Sequence, residues 1–155
     1  MGPLRNFYQG IISIGNFLQS FLLLAMRLFW GFQFFQAGYG KLQNIGPVAN
    51  YFSSLGVPFA EFTALALGWI ECIGGICLFL GFASRLIVIP LACVMISALF
   101  FGHREAALGM FSNPQTFISQ TPFTYLLTTI IVFCFGPGKI SIDSLFKKLF
   151  FRKSR

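Results

Sequence analysis

The chain has 155 residues, of which 56% are apolar and only 10% charged. A water-facing domain carries about 25% charged residues, so a soluble enzyme is excluded and lipid is the expected solvent. The net charge of +7 does not point to nucleic acid, because the basic residues flank apolar runs and crowd the C-terminus. They form no stripe on a soluble surface and match an anionic membrane instead.

Along the chain, Phe7 to Ile14 is apolar but broken by Gly10 and Gly15. It reads as an interfacial lead-in. A secretory signal would need a stronger basic start and a small-residue cleavage site. Asn6 stands where a myristoylation pattern needs Ser or Thr. The first span is expected over residues 17–39, the second over 59–82 and the third over 85–102. The fourth is placed at 115–136. Thr121-Pro122 has the form of a helix start, with Thr as cap and Pro in the first turn. The run from there to Gly136 is short against the ~20 residues that cross the hydrocarbon. The helix is therefore expected to begin near Pro114 and kink at Pro122, and Gly136-Pro137-Gly138 ends it. Residues 42–58 and 103–121 are expected as loops. In the tail, residues 141–155, Ile142, Leu145, Phe146, Leu149 and Phe150 share one helical face. Lys147, Lys148 and Arg152 lie toward the other, as in a helix resting on the inner leaflet.

The basic residues set an orientation. Arg5, Arg85, Lys139, Lys147, Lys148, Arg152, Lys153 and Arg155 fall on one side, and only Lys41 and Arg104 on the other. Eight against two predicts that both termini are cytoplasmic and that the two longer loops face outward. The expected architecture is all-α, an integral membrane four-helix bundle in a single domain, N-in and C-in, in the inner membrane.

Two ionisable residues sit deep in apolar runs, Arg27 in the first span and Glu71 in the second. A charge at the bilayer centre costs about 2.5–3.5 kcal/mol on insertion scales, so each needs a partner. If Lys41 and Glu61 both mark the outer boundary, a rise of about 1.5 Å per residue puts Arg27 about 21 Å and Glu71 about 15 Å below it. An arginine side chain spans that difference, and its fork fits a carboxylate. An Arg27–Glu71 ion pair is expected inside the bundle. Arg27, Gly31, Phe34, Gly38 and Lys41 form one stripe. Gly68, Glu71, Gly74 and Gly75 form another, and both should face inward because small residues let helices approach. Such a pair either fixes helix register or lines a polar cavity for a quinone, a proton or a small solute.

His103, the single histidine, is read either as solvated at the outer edge or as a proton group beside a quinone. One histidine without clustered ligands argues against a metal site. Arg85 is read as an orientation anchor. Cys72, Cys77, Cys93 and Cys134 lie in apolar runs without a CxxC spacing and read as buried small apolar side chains.

Arg27-Leu28, Gly31, Phe34, Gly38 and Lys41-Leu42, then Glu71-Cys72-Ile73-Gly74-Gly75, Gly81, Arg85, Met95 and Gly136-Pro137-Gly138-Lys139-Ile140-Ser141-Ile142-Asp143 together resemble the landmarks of the DoxX family. The resemblance runs from about Ala25 to Leu145. It implies a four-helix membrane bundle in which Arg27, Lys41, Glu71 and Arg85 take the family's charged places and Asp143 its acid after the last helix. It also implies kinship with subunits of thiosulfate:quinone oxidoreductases and of membrane complexes that handle oxidative or thiol stress. The expected function is a subunit of such a redox complex, with quinone as candidate cofactor and the bilayer and redox proteins as partners. The alternatives are a small-solute transporter subunit, which lacks an evident inverted repeat, and a non-catalytic scaffold.

Overall fold

The computed structural model describes residues 3–151, and every regular element among them is a helix. Arg152, Lys153 and Arg155, which entered the orientation argument, lie outside the described residues, as does the end of the amphipathic tail.

Helix α1 runs from Pro3 to Gln43, 41 residues without a break, about 60 Å at the helical rise. The break expected at Gly10 and Gly15 in the lead-in does not occur, and the lead-in is helically continuous with the first span. Gly10 and Gly15 each cost the helix about 1 kcal/mol, too little to interrupt a helix already propagating on both sides. Helices α2 (Ile45–Ser54), α3 (Ala60–Leu80) and α4 (Ser84–Gly102) follow, then the short α5 (Arg104–Leu108) and α6 (Pro114–Ile118), then α7 (Thr121–Phe135) and α8 (Ile142–Phe151). The stretch 42–58, expected as a loop, holds α2. Pro47 is tolerated near its start, where the backbone N–H groups have no helical partner.

The expected kink at Pro122 is a break. Pro122 offers no N–H to the carbonyl of Ile118, and its ring would collide with that oxygen. Helix α6 accordingly stops at Ile118, and Gln120 is extended before α7 begins (φ −71°, ψ 129°). The far end follows expectation: α7 stops at Phe135, and Gly136 takes φ +76°.

Among the described residues, three helices are long and apolar enough to cross a membrane: Phe7–Gln43 of α1, α3 and α4, with mean hydropathies of 1.6, 1.9 and 2.2. Helix α7 is apolar but has 15 residues, about 22 Å against a hydrocarbon core of ~30 Å. The outer surface is studded with large apolar side chains, including Phe62 (72% exposed), Leu86 (73%) and Phe133 (51%). A surface of that kind is stable in lipid, not water, and the chain is a membrane protein.

The interior is set by α1 against α3. A Cβ added to Gly31 would stand 2.7 Å from the backbone nitrogen of Phe79. At Gly38 it would strike the backbone of Cys72, and at Gly75 that of Phe35. The two main chains touch, and any side chain at these points pushes them apart. Gly74 makes room on its other side for Leu91 of α4. A core of Phe34, Leu78, Val88, Leu91, Val94, Met95, Tyr125 and Val132 fills the space among α1, α3, α4 and α7.

One end of the bundle is tied by a latch. Arg27, 1% exposed, donates to the carbonyls of Pro137 and, at 2.9 Å, of Ile140. Gly81 lies against it: with φ +70°, a Cβ there would sit 2.6 Å from Arg27 Nη1. Helix α4 starts after Ala83 (φ +47°), which has no side-chain cap of its own. Asp143 supplies one from a distant part of the chain. Its carboxylate accepts from the N–H groups of Ala83 (2.7 Å) and Ser84 (2.9 Å), while its own N–H donates to the Gly81 carbonyl at 3.0 Å. Two of the orphan donors at the head of α4 are thus satisfied from α8.

Substitutions at three positions test this packing and its latch. Gly75→Leu should lower the unfolding midpoint in detergent by roughly 5–10 °C, the shift for about 3 kcal/mol of overpacking in a chain of this size. Gly15→Ala, with nothing within 4 Å, should leave it unchanged or raise it by the equivalent of about 0.5–1 kcal/mol. Asp143→Ala should cost about 1–3 kcal/mol and speed amide exchange at Ala83 and Ser84, and Asp143→Asn should retain part of the protection.

Candidate functional site

The contact between α1 and α3 also fixes where the charges fall. Gly38 lies opposite Cys72, Phe35 opposite Gly75 and Gly31 opposite Phe79. Continued along the helices, this register puts Glu71 beside Tyr39 and Arg27 beside Ala83. The two charges are then about twelve residues apart along the axis, about 18 Å. The expected Arg27–Glu71 pair does not form. It rested on Lys41 and Glu61 sharing one depth, and the glycine contacts slide the helices away from that alignment.

Glu71 pairs instead with Lys41, whose Nζ donates to Oε2. Glu71 is 2% exposed and the Lys41 side chain 27%. Lys41 is in the last turn of α1, so its aliphatic stem can lie back along the helix and carry the ammonium to a carboxylate deeper in the bundle. Of the expected inward stripes, Arg27, Gly31, Phe34 and Gly38 on α1 and Gly68, Glu71, Gly74 and Gly75 on α3 are buried, while Lys41, the last member of the α1 stripe, is half-buried.

Above this pair opens a cavity of about 520 Å³. Lys41 and Glu71 reach it from one side, Tyr51 and Phe52 of α2 cover it, Met95 and His103 come from α4 and its end, and Tyr125 from α7. The walls are mostly apolar and aromatic. Tyr125 is held by edge-on contacts with Trp30 (centroids 4.9 Å apart) and Phe34 (4.5 Å), and it lies within electrostatic reach of Glu71. An ammonium has three N–H donors. One serves Glu71, and the remaining ones are available to an acceptor in the cavity. The site suits a small, flat, amphipathic molecule with a carbonyl or hydroxyl oxygen facing Lys41.

The sequence-derived candidates divide. Glu71, Lys41 and His103 meet at the cavity, with His103 half-buried on its rim. Arg27 and Asp143 belong to the latch at the other end. Arg85 is exposed there and reaches the Cys134 carbonyl at 3.4 Å. Of the cysteines, Cys72 is buried and Cys77 half-buried, but Cys93 and Cys134 are exposed on the outer surface. For these two the expected burial fails, because they sit on the outward sides of α4 and α7. Among the described residues no group of three or more His, Cys, Asp or Glu side chains is placed to hold a metal. Tyr51 and Tyr125 were missed. Their one signal was a polar tip within an otherwise apolar segment.

The pattern of the DoxX family matches residues 22–104, a stretch that takes in Arg27, Lys41, Glu71, Arg85 and His103. A protein of Bacillus subtilis (strain 168) named "Putative oxidoreductase CatD" is 30% identical over 122 residues, covering 77% of this chain and 83% of its own. An uncharacterized protein of Haemophilus influenzae (strain ATCC 51907 / DSM 11121 / KW20 / Rd) is 26% identical over 137 residues, covering 85% of this chain and 87% of its own. No solved structure gives a significant match. With the matched stretch spanning both charge-bearing helices and the relatives aligned over most of their length, this chain belongs to the DoxX family.

Proposed function

We propose that this protein is a four-span subunit of a redox complex in the inner membrane, with both termini cytoplasmic, and that the cavity over Glu71 receives a quinone-type headgroup. The observation that carries the reading is a buried ion pair at the foot of an aromatic cavity inside a membrane bundle. Intramembrane charges at cavities mark functional sites by default. The oxidoreductase name of the Bacillus relative supports the redox half of the proposal, and the basic bias toward the latch end supports the orientation. In this reading α7, with α6 ahead of it, makes the fourth crossing.

The residues fit such a ligand. A quinone needs apolar walls for its ring and a donor at each carbonyl oxygen, and when bound it takes up two electrons and two protons. Lys41 would donate to one oxygen, with Glu71 fixing the ammonium's position. Tyr125, locked between Trp30 and Phe34, would present its hydroxyl to the same space. His103 at the rim would offer an imidazole nitrogen to the cavity as a hydrogen-bond donor or acceptor. Tyr51 and Phe52 on α2 would close over the ring and exclude water. The electrons come from a partner in the complex.

The test is a titration of the detergent-purified protein with ubiquinone-1, followed by quenching of tryptophan fluorescence, since Trp30 packs on Tyr125. Saturable quenching is expected in the wild type, and Glu71→Gln and Lys41→Met should each weaken it by about tenfold, the worth of one charge-assisted hydrogen bond. Wild-type protein that shows no saturable signal overturns the reading. So does an unchanged affinity in both folded variants. The pair's contribution to stability is measured separately. Lys41→Met leaves a buried carboxylate unpaired and should cost about 3–5 kcal/mol, and adding Glu71→Leu should recover most of that loss.

A further inference from the structure

The end of the bundle away from Glu71 carries an open groove of about 840 Å³ that the proposed reaction does not use. Its walls come from α1, the turn between α3 and α4, the end of α7 and the start of α8. Three cations line it, Arg85, Lys139 and Lys147, brought together from the head of α4, the segment after α7 and the middle of α8. The Arg85 guanidinium lies over Gly136, where an added Cβ would be 3.4 Å from Nη2. Its hydrogen bond to the Cys134 carbonyl is long, at 3.4 Å. Among the described residues neither Lys139 nor Lys147 has a carboxylate partner. The carboxylate in the groove, Asp143, has both oxygens engaged by the N–H groups of Ala83 and Ser84, and the Arg27 charge lies close to it. The groove therefore holds an excess of positive charge that no side chain among the described residues neutralises.

The rest of the lining is of two kinds. Asn16, Gln19 and Ser20 occupy one face of α1 and offer amide and hydroxyl groups. Beside them are Leu23, Leu86 and Phe135. Leu86 and Phe135 are 73% and 62% exposed, so this apolar wall is continuous with the lipid-facing surface. The groove also lies where α3 turns back into α4, at the end of two apolar spans and hence at headgroup depth. We propose that it is a binding site for an anionic phospholipid, whose phosphate is gathered by Arg85, Lys139 and Lys147 while its acyl chains run along Leu86 and Phe135. Basic pockets between membrane helices on the cytoplasmic side bind such headgroups through charge and donor geometry together. The continuous apolar wall favours a lipid over free phosphate.

The experiment uses the full chain in maltoside detergent, titrated with phosphatidylglycerol or phosphatidylcholine and read by native mass spectrometry. The wild type should prefer phosphatidylglycerol by at least about tenfold, and Lys139→Gln and Lys147→Gln should each lower its affinity by about fivefold, the effect of one basic residue near a lipid surface. Arg85→Gln should do the same. Lys148→Gln, an exposed α8 position outside the groove, should change nothing. Lys139 and Lys147 are exposed, so their variants remain informative if Arg85→Gln fails to fold. Equal affinity for the two lipids in the wild type overturns the proposal. So does wild-type binding by the Lys139 and Lys147 variants, or full displacement of the lipid by millimolar inorganic phosphate, which would make this a site for free phosphate.

Discussion

Gly31, Gly38 and Gly75 let two antiparallel helices approach until their main chains touch, and that approach places everything else. In lipid there is little hydrophobic gain from joining two apolar helices, because the acyl chains are as apolar as leucine. What remains is the fit of one surface into another. Steric contact at three points along the shared axis leaves no freedom to slide, so the register of α1 on α3 is fixed by where side chains are missing. Lys41 comes to Glu71, and Arg27 comes to the turn after α3, as consequences of that register rather than by mutual attraction.

The result is a molecule whose buried charges perform two kinds of work at two ends. At one end Arg27 and Asp143 are consumed by backbone groups: carbonyls after α7 for the first, N–H groups at the start of α4 for the second. Such bonds organise chain segments and leave little for a ligand. At the other end Lys41 and Glu71 neutralise one another while keeping one face toward a cavity. A side chain that is paired and still partly accessible can support binding, whereas one wholly engaged by the main chain supports architecture.

Much of this could be read from the sequence where the governing rule is local. The inward stripes of α1 and α3 follow from helical spacing, and the stop at Gly136-Pro137-Gly138 follows from the conformations those residues permit. The lipid setting follows from composition. The register could not be read, because it depends on gaps in two helices meeting, and depth counting from Lys41 and Glu61 had no access to that. The cap on α4 was hidden for a related reason. Asp143 is recognisable as an acid after a helix, but its partners are 59 and 60 residues earlier. Helix α2 was hidden because Gly46, Pro47 and Gly56 give its segment the look of a loop. The cavity's cover and the aromatic Tyr51 went with it.

The distance between Asp143 and the turn it caps bears on the order in which the chain is made. Ala83 and Ser84 leave the ribosome well before Asp143, and Arg27 earlier still. Until the C-terminal segment arrives, the head of α4 has unsatisfied amides and the guanidinium has no carbonyl to meet. The insertion machinery or water must hold this end of the hairpin open in the interval. The latch thus closes only after residues 137–143 have been made, and a nascent chain lacking them would present to the membrane a bundle assembled at one end only.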